Sequence, residues 1–301
     1  MLEVNSISKS YGDKKAADGI SFSVSEGEIF GLLGPNGAGK TTTIRMIMNI
    51  ITPDSGSIKI FSELFSESLT DRIGYLPEER GLYKKRKVIE VLVYFAVLKG
   101  MDKSIAKTKA EKFLEKFELY DYRNKRVEEL SKGMQQKVQF IASVLHDPDL
   151  IILDEPFAGL DPLNTQLVKD IILEMKNKNK TIILSTHMME QAEKLCDRIM
   201  LINKGKNVLY GKLSEIKKNY GVNSVIIGLK EVSEAATVKT LPVIKNFEDH
   251  GNYLEIKMKL GEDPQELLEY LIKNKIKINR FEIKEPSLNE IFIGTVKNED
   301  K

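Results

Sequence analysis

Apolar residues along this chain change their period several times, and each change marks a structural segment. Residues Leu2–Ser8 and Ile20–Val24 alternate apolar and polar positions, as strands with one buried face do. Ser10-Tyr-Gly-Asp-Lys14 between them reads as a turn. The run Glu28-Ile-Phe-Gly-Leu-Leu33 is short and apolar, which predicts a buried strand, and Thr42–Asn49 reads as a helix. A turn at Ser55-Gly56 precedes a strand at Ser57–Phe61, and Ile73–Pro77 reads as a strand end entering a loop. From about Val88 to Leu145 the period is mostly helical. Phe113, Leu114 and Phe117 fall at helical spacing within Ile105–Phe117, and Val91–Leu98 predicts a core-facing helix. Three nearly all-apolar runs follow, Leu150–Leu153, Thr181–Leu184 and Arg198–Ile202, as expected of strands covered on both faces. Helical stretches at Leu163–Met175 and Met188–Leu195 separate them.

The pattern predicts an α/β core over residues 1–215, with an antiparallel β subdomain at its start and a helical insertion at about 80–146. Beyond Tyr220 the texture is that of a small α+β domain, residues 220–301. Strands are expected at Ser224–Leu229, Val243–Phe247, Tyr253–Leu260 and Lys275–Ile283, with a hairpin turn at Asp249–Asn252 and a helix at Asp263–Lys273. Ser287-Leu-Asn-Glu290 fits a capping box for a short last helix, and the charged tail Lys297–Lys301 is expected to be disordered.

Composition changes this picture little. A formal net charge of +2 over 301 residues gives no electrostatic argument for a nucleic-acid partner. The single cysteine, Cys196, excludes an internal disulfide and is read as a packed thiol. Met1 leads directly into a strand, so no leader is expected, and no apolar run reaches the roughly 20 residues a bilayer needs. His146 and His250 are expected on the surface.

The candidate chemistry begins at Gly34-Pro-Asn-Gly-Ala-Gly-Lys-Thr41, set between the buried strand and the helix. Gly34, Gly37 and Gly39 let the chain curl so that successive N–H groups face an anion. The following helix N-terminus adds unpaired N–H groups and its dipole. Lys40 supplies a cation for the β- and γ-phosphates, and the Thr41 hydroxyl can ligate Mg²⁺. Asp149-Leu-Ile-Ile-Leu-Asp154-Glu155-Pro156 is a buried strand ending in two carboxylates, Asp154 placed for Mg²⁺ and Glu155 for general-base work on a water. Ser131 reads as the N-cap of the helix that runs on through Leu145.

Taken in order, these motifs resemble the ATP-binding subunit of an ABC transporter, over about residues 1–215. Leu130-Ser-Lys-Gly-Met134 is similar to the family's signature, Ala158-Gly-Leu-Asp161 to its aspartate loop, His187 to its switch histidine and Tyr11 to its adenine platform, a simple turn tyrosine being the other reading of Tyr11. The resemblance implies a P-loop ATPase fold, with ATP and Mg²⁺ as cofactors. It implies a nucleotide set of Tyr11, Gly34, Pro35, Asn36, Gly37, Ala38, Gly39, Lys40, Thr41 and Thr42. Ser131 and Gly133 would come from a second ATPase subunit, with Asp161 at the seam, His187 on the γ-phosphate, and Thr41, Asp154 and Glu78 at the metal. Two departures stand out. Glu78 replaces the usual glutamine in Tyr75-Leu-Pro-Glu-Glu-Arg80, and Lys132 and Met134 replace glycine and glutamine in the signature. Lys84-Lys-Arg-Lys87 reads as a solvated loop near where the family docks its membrane partner.

The end of the chain, Lys284–Ile293, resembles bacterial sodium, drug and peptide exporters with a C-terminal accessory domain. Export through a separate integral-membrane permease, with the protein peripheral on the cytoplasmic face of the membrane, is the expectation. An ABC-fold ATPase acting on a non-transport partner is the alternative; one cassette, with no room for a long coiled coil, weighs against ribosome and DNA classes. A GTPase would lack Ser131, Gly133 and His187 in these places.

Overall fold

The computed structural model describes every residue except Arg80, 221–223, 232–233, 260–261 and 300–301. The chain divides into two compact units, Met1–Lys212 and Leu213–Lys301.

The first unit opens with β1 (Leu2–Tyr11) and β2 (Lys14–Val24), then β3 (Ile29–Leu33) and α1 (Lys40–Ile47). Next come β4 (Ser55–Ile60), β5 (Glu63–Leu64) and β6 (Ile73–Leu76). Three helices follow: α2 (Val88–Leu98), α3 (Lys103–Lys116) and α4 (Lys132–Val144). The unit closes with β7 (Leu150–Asp154), α5 (Pro162–Asn177), β8 (Thr181–Thr186), α6 (Met189–Leu195), β9 (Arg198–Asn203) and β10 (Lys206–Lys212).

One sheet, in the order β2-β1-β4-β5, is antiparallel. The other runs β10-β9-β3-β8-β7-β6 and is parallel except for its edge strand β10. The central strands β3, β7 and β8 are buried at every position, which is why their sequences carry no polar alternation. A core formed by both sheets and α1 joins them; Phe22 of β2 stacks on Phe30 of β3 with ring centroids 5.0 Å apart.

The parallel register decides where chemistry can gather. Leu33 pairs with Thr186, Asp154 with Ser185, and Leu76 with Leu153. The carboxyl ends of β3, β8, β7 and β6 therefore lie side by side along one edge, where ligands bind in open α/β sheets.

The α/β core, antiparallel sheet and helical insertion agree with the sequence expectation, with five corrections. Ser55-Gly56, expected as a turn, begins strand β4, where Ser55 pairs with Ser8. The Ser10–Lys14 turn shrinks to Gly12-Asp13, since Tyr11 pairs with Lys14 and the strands run up to the hairpin. Strand β10 was not expected; it follows β9 through Lys204-Gly205, both at positive φ (48° and 79°), a tight turn without the usual Asn-Gly signal. Helix α2 is only half core-facing: Val91, Leu92 and Ala96 are buried, whereas Tyr94, Val97 and Leu98 are exposed. His146, expected on the surface, is half-buried. Its Nε2 donates to the Ile73 carbonyl at 3.2 Å, its Nδ1 is buried without a partner, and burial pulls its pKa down to about 4.

Cys196, at the end of α6, is buried, and burial raises its pKa, so it is an inert packed thiol.

The second unit comprises α7 (Leu213–Asn219), β11 (Ser224–Leu229), α8 (Ala235–Lys239), β12 (Ile244–Asp249), β13 (Leu254–Met258), α9 (Pro264–Lys273), β14 (Ile278–Lys284) and α10 (Leu288–Glu299). Its antiparallel sheet runs β12-β13-β11-β14. Val225, Ile227, Leu254 and Ile256 of the sheet pack with Val238 of α8 and Leu267 and Leu271 of α9. The capping box at α10 forms: Ser287 N–H donates to the Glu290 carboxylate at 2.8 Å and Glu290 N–H to Ser287 Oγ at 3.2 Å. Helix α10 continues to Glu299, so Lys297–Glu299 extend it where a disordered tail was expected; Asp300 and Lys301 lie outside the described residues, as does Leu260 at the end of one expected strand.

Candidate functional site

The chain between β3 and α1 can close only with glycine at two points. A Cβ on Gly34 (φ 151°) would sit 2.2 Å from the Ile202 carbonyl oxygen, and one on Gly39 (φ 114°) would sit 2.1 Å from that of Ala16. Gly39 is the N-cap of α1 and offers no side-chain cap, so the first N–H groups of the helix remain open to an anion. Lys40 is buried, and its Nζ donates to the Gly34 carbonyl at 2.8 Å and the Pro35 carbonyl at 3.2 Å. Burial pulls its pKa down, opposed by the carboxylates of Glu155, Asp154 and Glu78.

Asp154 ends β7 and is fully buried. Burial raises its pKa; Ser185 and Thr41 lie near enough to favour the charged form, yet neither carboxylate oxygen has a hydrogen-bond partner of good geometry. Glu155 takes φ 50°, a left-handed turn immediately after the strand. That turn swings its side chain to the same edge as Asp154, which strand alternation alone would prevent.

The Glu155 carboxylate is held from three directions. Thr186 Oγ1 donates at 3.0 Å, His187 N–H at 3.0 Å, and His187 Nδ1 lies 2.8 Å away. Lys40 Nζ is 3.8 Å from Glu155 Oε1. The His187 side chain is half exposed, whereas that of Glu155 is buried.

Tyr11, Asn36, Gly37, Gly39, Lys40, Thr41, Thr42, Glu78 and Glu155 line one cleft of about 360 Å³. Gly34, Pro35 and Ala38 belong to the loop but do not line it, and the Ala38 side chain is buried. Lys14 and Ala16 complete the wall, two residues the sequence did not single out. Tyr11 is 53% exposed, so its ring is free to take a stacking partner.

Ser131, Gly133 and Asp161 do not line the cleft. Ser131 is the N-cap of α4, its Oγ accepting from Met134 N–H at 3.2 Å. Gly133 adjoins the aspartate loop, where an added Cβ would be 3.4 Å from the Gly159 carbonyl. Asp161 caps α5 by accepting from Asn164 N–H at 2.9 Å, and that bond lowers its pKa. Lys132 points to solvent.

Sequence reasoning missed Thr186 and Gln139. Thr186 looks like the end of an apolar strand, yet it holds Glu155. Gln139 sits on the buried face of α4 and donates to the carbonyls of Pro77 and Glu79, both at 3.1 Å. The available signal was polarity at 136, 137 and 139 among apolar helix positions.

Magnesium fits these residues. Among the described residues no set of three or more His, Cys, Asp or Glu is grouped to hold a metal alone. Thr41 Oγ1 donates to Glu78 Oε2 at 3.4 Å, and the orphaned Asp154 oxygens lie close by. A few hard oxygen donors completed by phosphate and water are what Mg²⁺ takes.

Residues 17–158 match the family model described as ABC transporter, and residues 211–296 match that described as the C-terminal domain of ATP-binding protein DrrA1-3-like. The chain is 44% identical to the uncharacterized ABC transporter ATP-binding protein YhaQ of Bacillus subtilis (strain 168), covering 98% of each. It is 31% identical to the linearmycin resistance ATP-binding protein LnrL of the same organism, over 98% of this chain and 97% of that one. A solved structure described as an ATP binding subunit of an ABC transporter superposes with a TM-score of 0.69 at 33% identity, covering 73% of this chain and 93% of that chain. With relatives matched end to end, the chain belongs to the ABC transporter ATP-binding proteins.

Proposed function

We propose that the chain hydrolyses ATP with Mg²⁺ in a site completed by a second ATPase subunit, and that this powers export through a separate integral-membrane permease. The observation that carries the hydrolytic part is the grip of Thr186 and His187 on the buried Glu155 carboxylate beside Lys40. The loop amides and Lys40 bind the phosphates, and Tyr11 stacks on the base. Mg²⁺, when bound, offsets charge on the β- and γ-phosphates. Asp154, Thr41 and Glu78 are the residues that would hold it. Glu155 orients a water and accepts its proton, and His187 stabilises charge developing on the γ-phosphate. Ser131 and Gly133 do not line their own subunit's cleft, which supports a role on the partner's nucleotide.

Docking of a permease is supported by α2 and α3. Their exposed groove, about 840 Å³, presents Ile89, Val93, Tyr94 and Val97, with Glu90, Asp102, Lys103, Ser104 and Lys107 completing its lining. Among the described residues no helix is long and apolar enough to cross a membrane; membership of the ABC transporter ATP-binding proteins supports a separate membrane subunit, with this chain peripheral on the cytoplasmic face. Export is supported by a relative named Nod factor export ATP-binding protein I, of Paraburkholderia xenovorans (strain LB400), 38% identical over 71% of this chain and 72% of that one. ATP turnover by Glu155→Gln decides the hydrolytic role: a fall of about 10²-fold or more with ATP affinity retained supports it, and wild-type turnover refutes it.

A further inference from the structure

Gln139 lies eight residues along α4 from the Ser131 cap, about 12 Å at the helical rise, and is 5% exposed. Its Nε2 donates to the carbonyls of Pro77 and Glu79, both at 3.1 Å. Those carbonyls bracket Glu78, whose carboxylate accepts from Thr41. Two carbonyl acceptors can be met only by an NH₂ group, which fixes the orientation of the amide. Its Oε1 is buried without a partner. Methionine would fill the same space and strand no acceptor, so packing alone does not account for a glutamine here. We infer that Gln139 is a positioning residue: it clamps the loop on both sides of Glu78, holding that carboxylate at Thr41 and tying it to the helix capped by Ser131.

The consequence is mechanical. A rigid helix carries Ser131 at its tip and grips the Glu78 loop at its middle. A shift of α4 therefore moves Glu78 relative to Thr41, linking what Ser131 meets to the metal-binding residues. The inference rests on the reading of Glu78 as part of the Mg²⁺ set.

The test uses full-length protein with the Glu155→Gln background, ATP, and Mn²⁺ as the metal probe, free Mn²⁺ being read by electron paramagnetic resonance. Gln139→Met should weaken Mn²⁺ binding about tenfold while ATP affinity in EDTA stays unchanged. Gln139→Glu, which turns a carboxylate onto the two carbonyls, should weaken Mn²⁺ at least as much and stands in should the methionine variant fail to fold. Adding Gln139→Met to Glu78→Ala should cause no further loss. Unchanged Mn²⁺ binding in Gln139→Met, multiplied losses in the double variant, or an equal loss of metal-free ATP binding overturns the inference. Tight Mn²⁺ binding in Glu78→Ala alone overturns the reading of Glu78 instead, and the inference falls with it.

Discussion

His187 Nδ1 lies 2.8 Å from Glu155 Oε1, and the backbone N–H of His187 donates to the same oxygen at 3.0 Å. One residue thus grips the Glu155 carboxylate through both its main chain and its ring. His187→Ala would keep the backbone bond and lose the ring. ATP turnover should fall about 10²–10³-fold with ATP affinity within a few-fold of wild type. Turnover near wild type would remove His187 from the reaction.

Lys40 Nζ bonds to the Gly34 and Pro35 carbonyls and faces Glu155. Its charge is what the phosphate loop adds to backbone amides. Lys40→Met should weaken ATP binding by roughly 10- to 100-fold, the worth of a charge-assisted hydrogen bond. Titration with a fluorescent ATP analogue measures it, and unchanged affinity would contradict the phosphate-loop reading.

Asp154 is a buried carboxylate with both oxygens unpartnered and a raised pKa. Without metal, Asp154→Asn should stabilise the fold by about 1–3 kcal/mol, seen as a higher Tm in EDTA. With Mg²⁺ and ATP the order should reverse, because only the wild type gains ligand stabilisation from that carboxylate. A variant that gains as much from Mg²⁺ and ATP as the wild type would place the metal elsewhere.

His146 titrates near 4 in the folded protein, because burial opposes its charge, against about 6.5 when unfolded. Between those values the unfolded chain binds more protons, so stability rises with pH across this window and is lost as pH falls through it. The loss by pH 4 should be about 2 kcal/mol, discounted for partial exposure. His146→Gln keeps a donor for the Ile73 carbonyl and should flatten that part of the stability–pH curve, as urea melts at successive pH values would show.

The glycine loop between β3 and α1, the buried strands and the two carboxylates at a strand end were legible because each is local: a glycine spacing, an apolar run, a strand end. The strand ends of β3, β6, β7 and β8 meet through the parallel register, which no local pattern reveals. The grip of Thr186 on Glu155 depends on that register, and the clamp of Gln139 on Glu78 depends on how α4 packs. The second face of α2 misled for a physical reason: the all-apolar run Val91–Leu98 reads as buried, and the helix leaves Tyr94, Val97 and Leu98 exposed. His146 misled because its partner is a main-chain carbonyl 73 positions away.

The completion of each nucleotide site by a second subunit is tested most directly by mass. Glu155→Gln with saturating ATP and Mg²⁺, measured by light scattering after size exclusion, should have twice the mass it shows without nucleotide. Adding Ser131→Arg should return it to the lower mass while ATP still binds. A Glu155→Gln protein whose mass is the same with and without ATP, or a Ser131→Arg double variant that still doubles, would contradict the composite site.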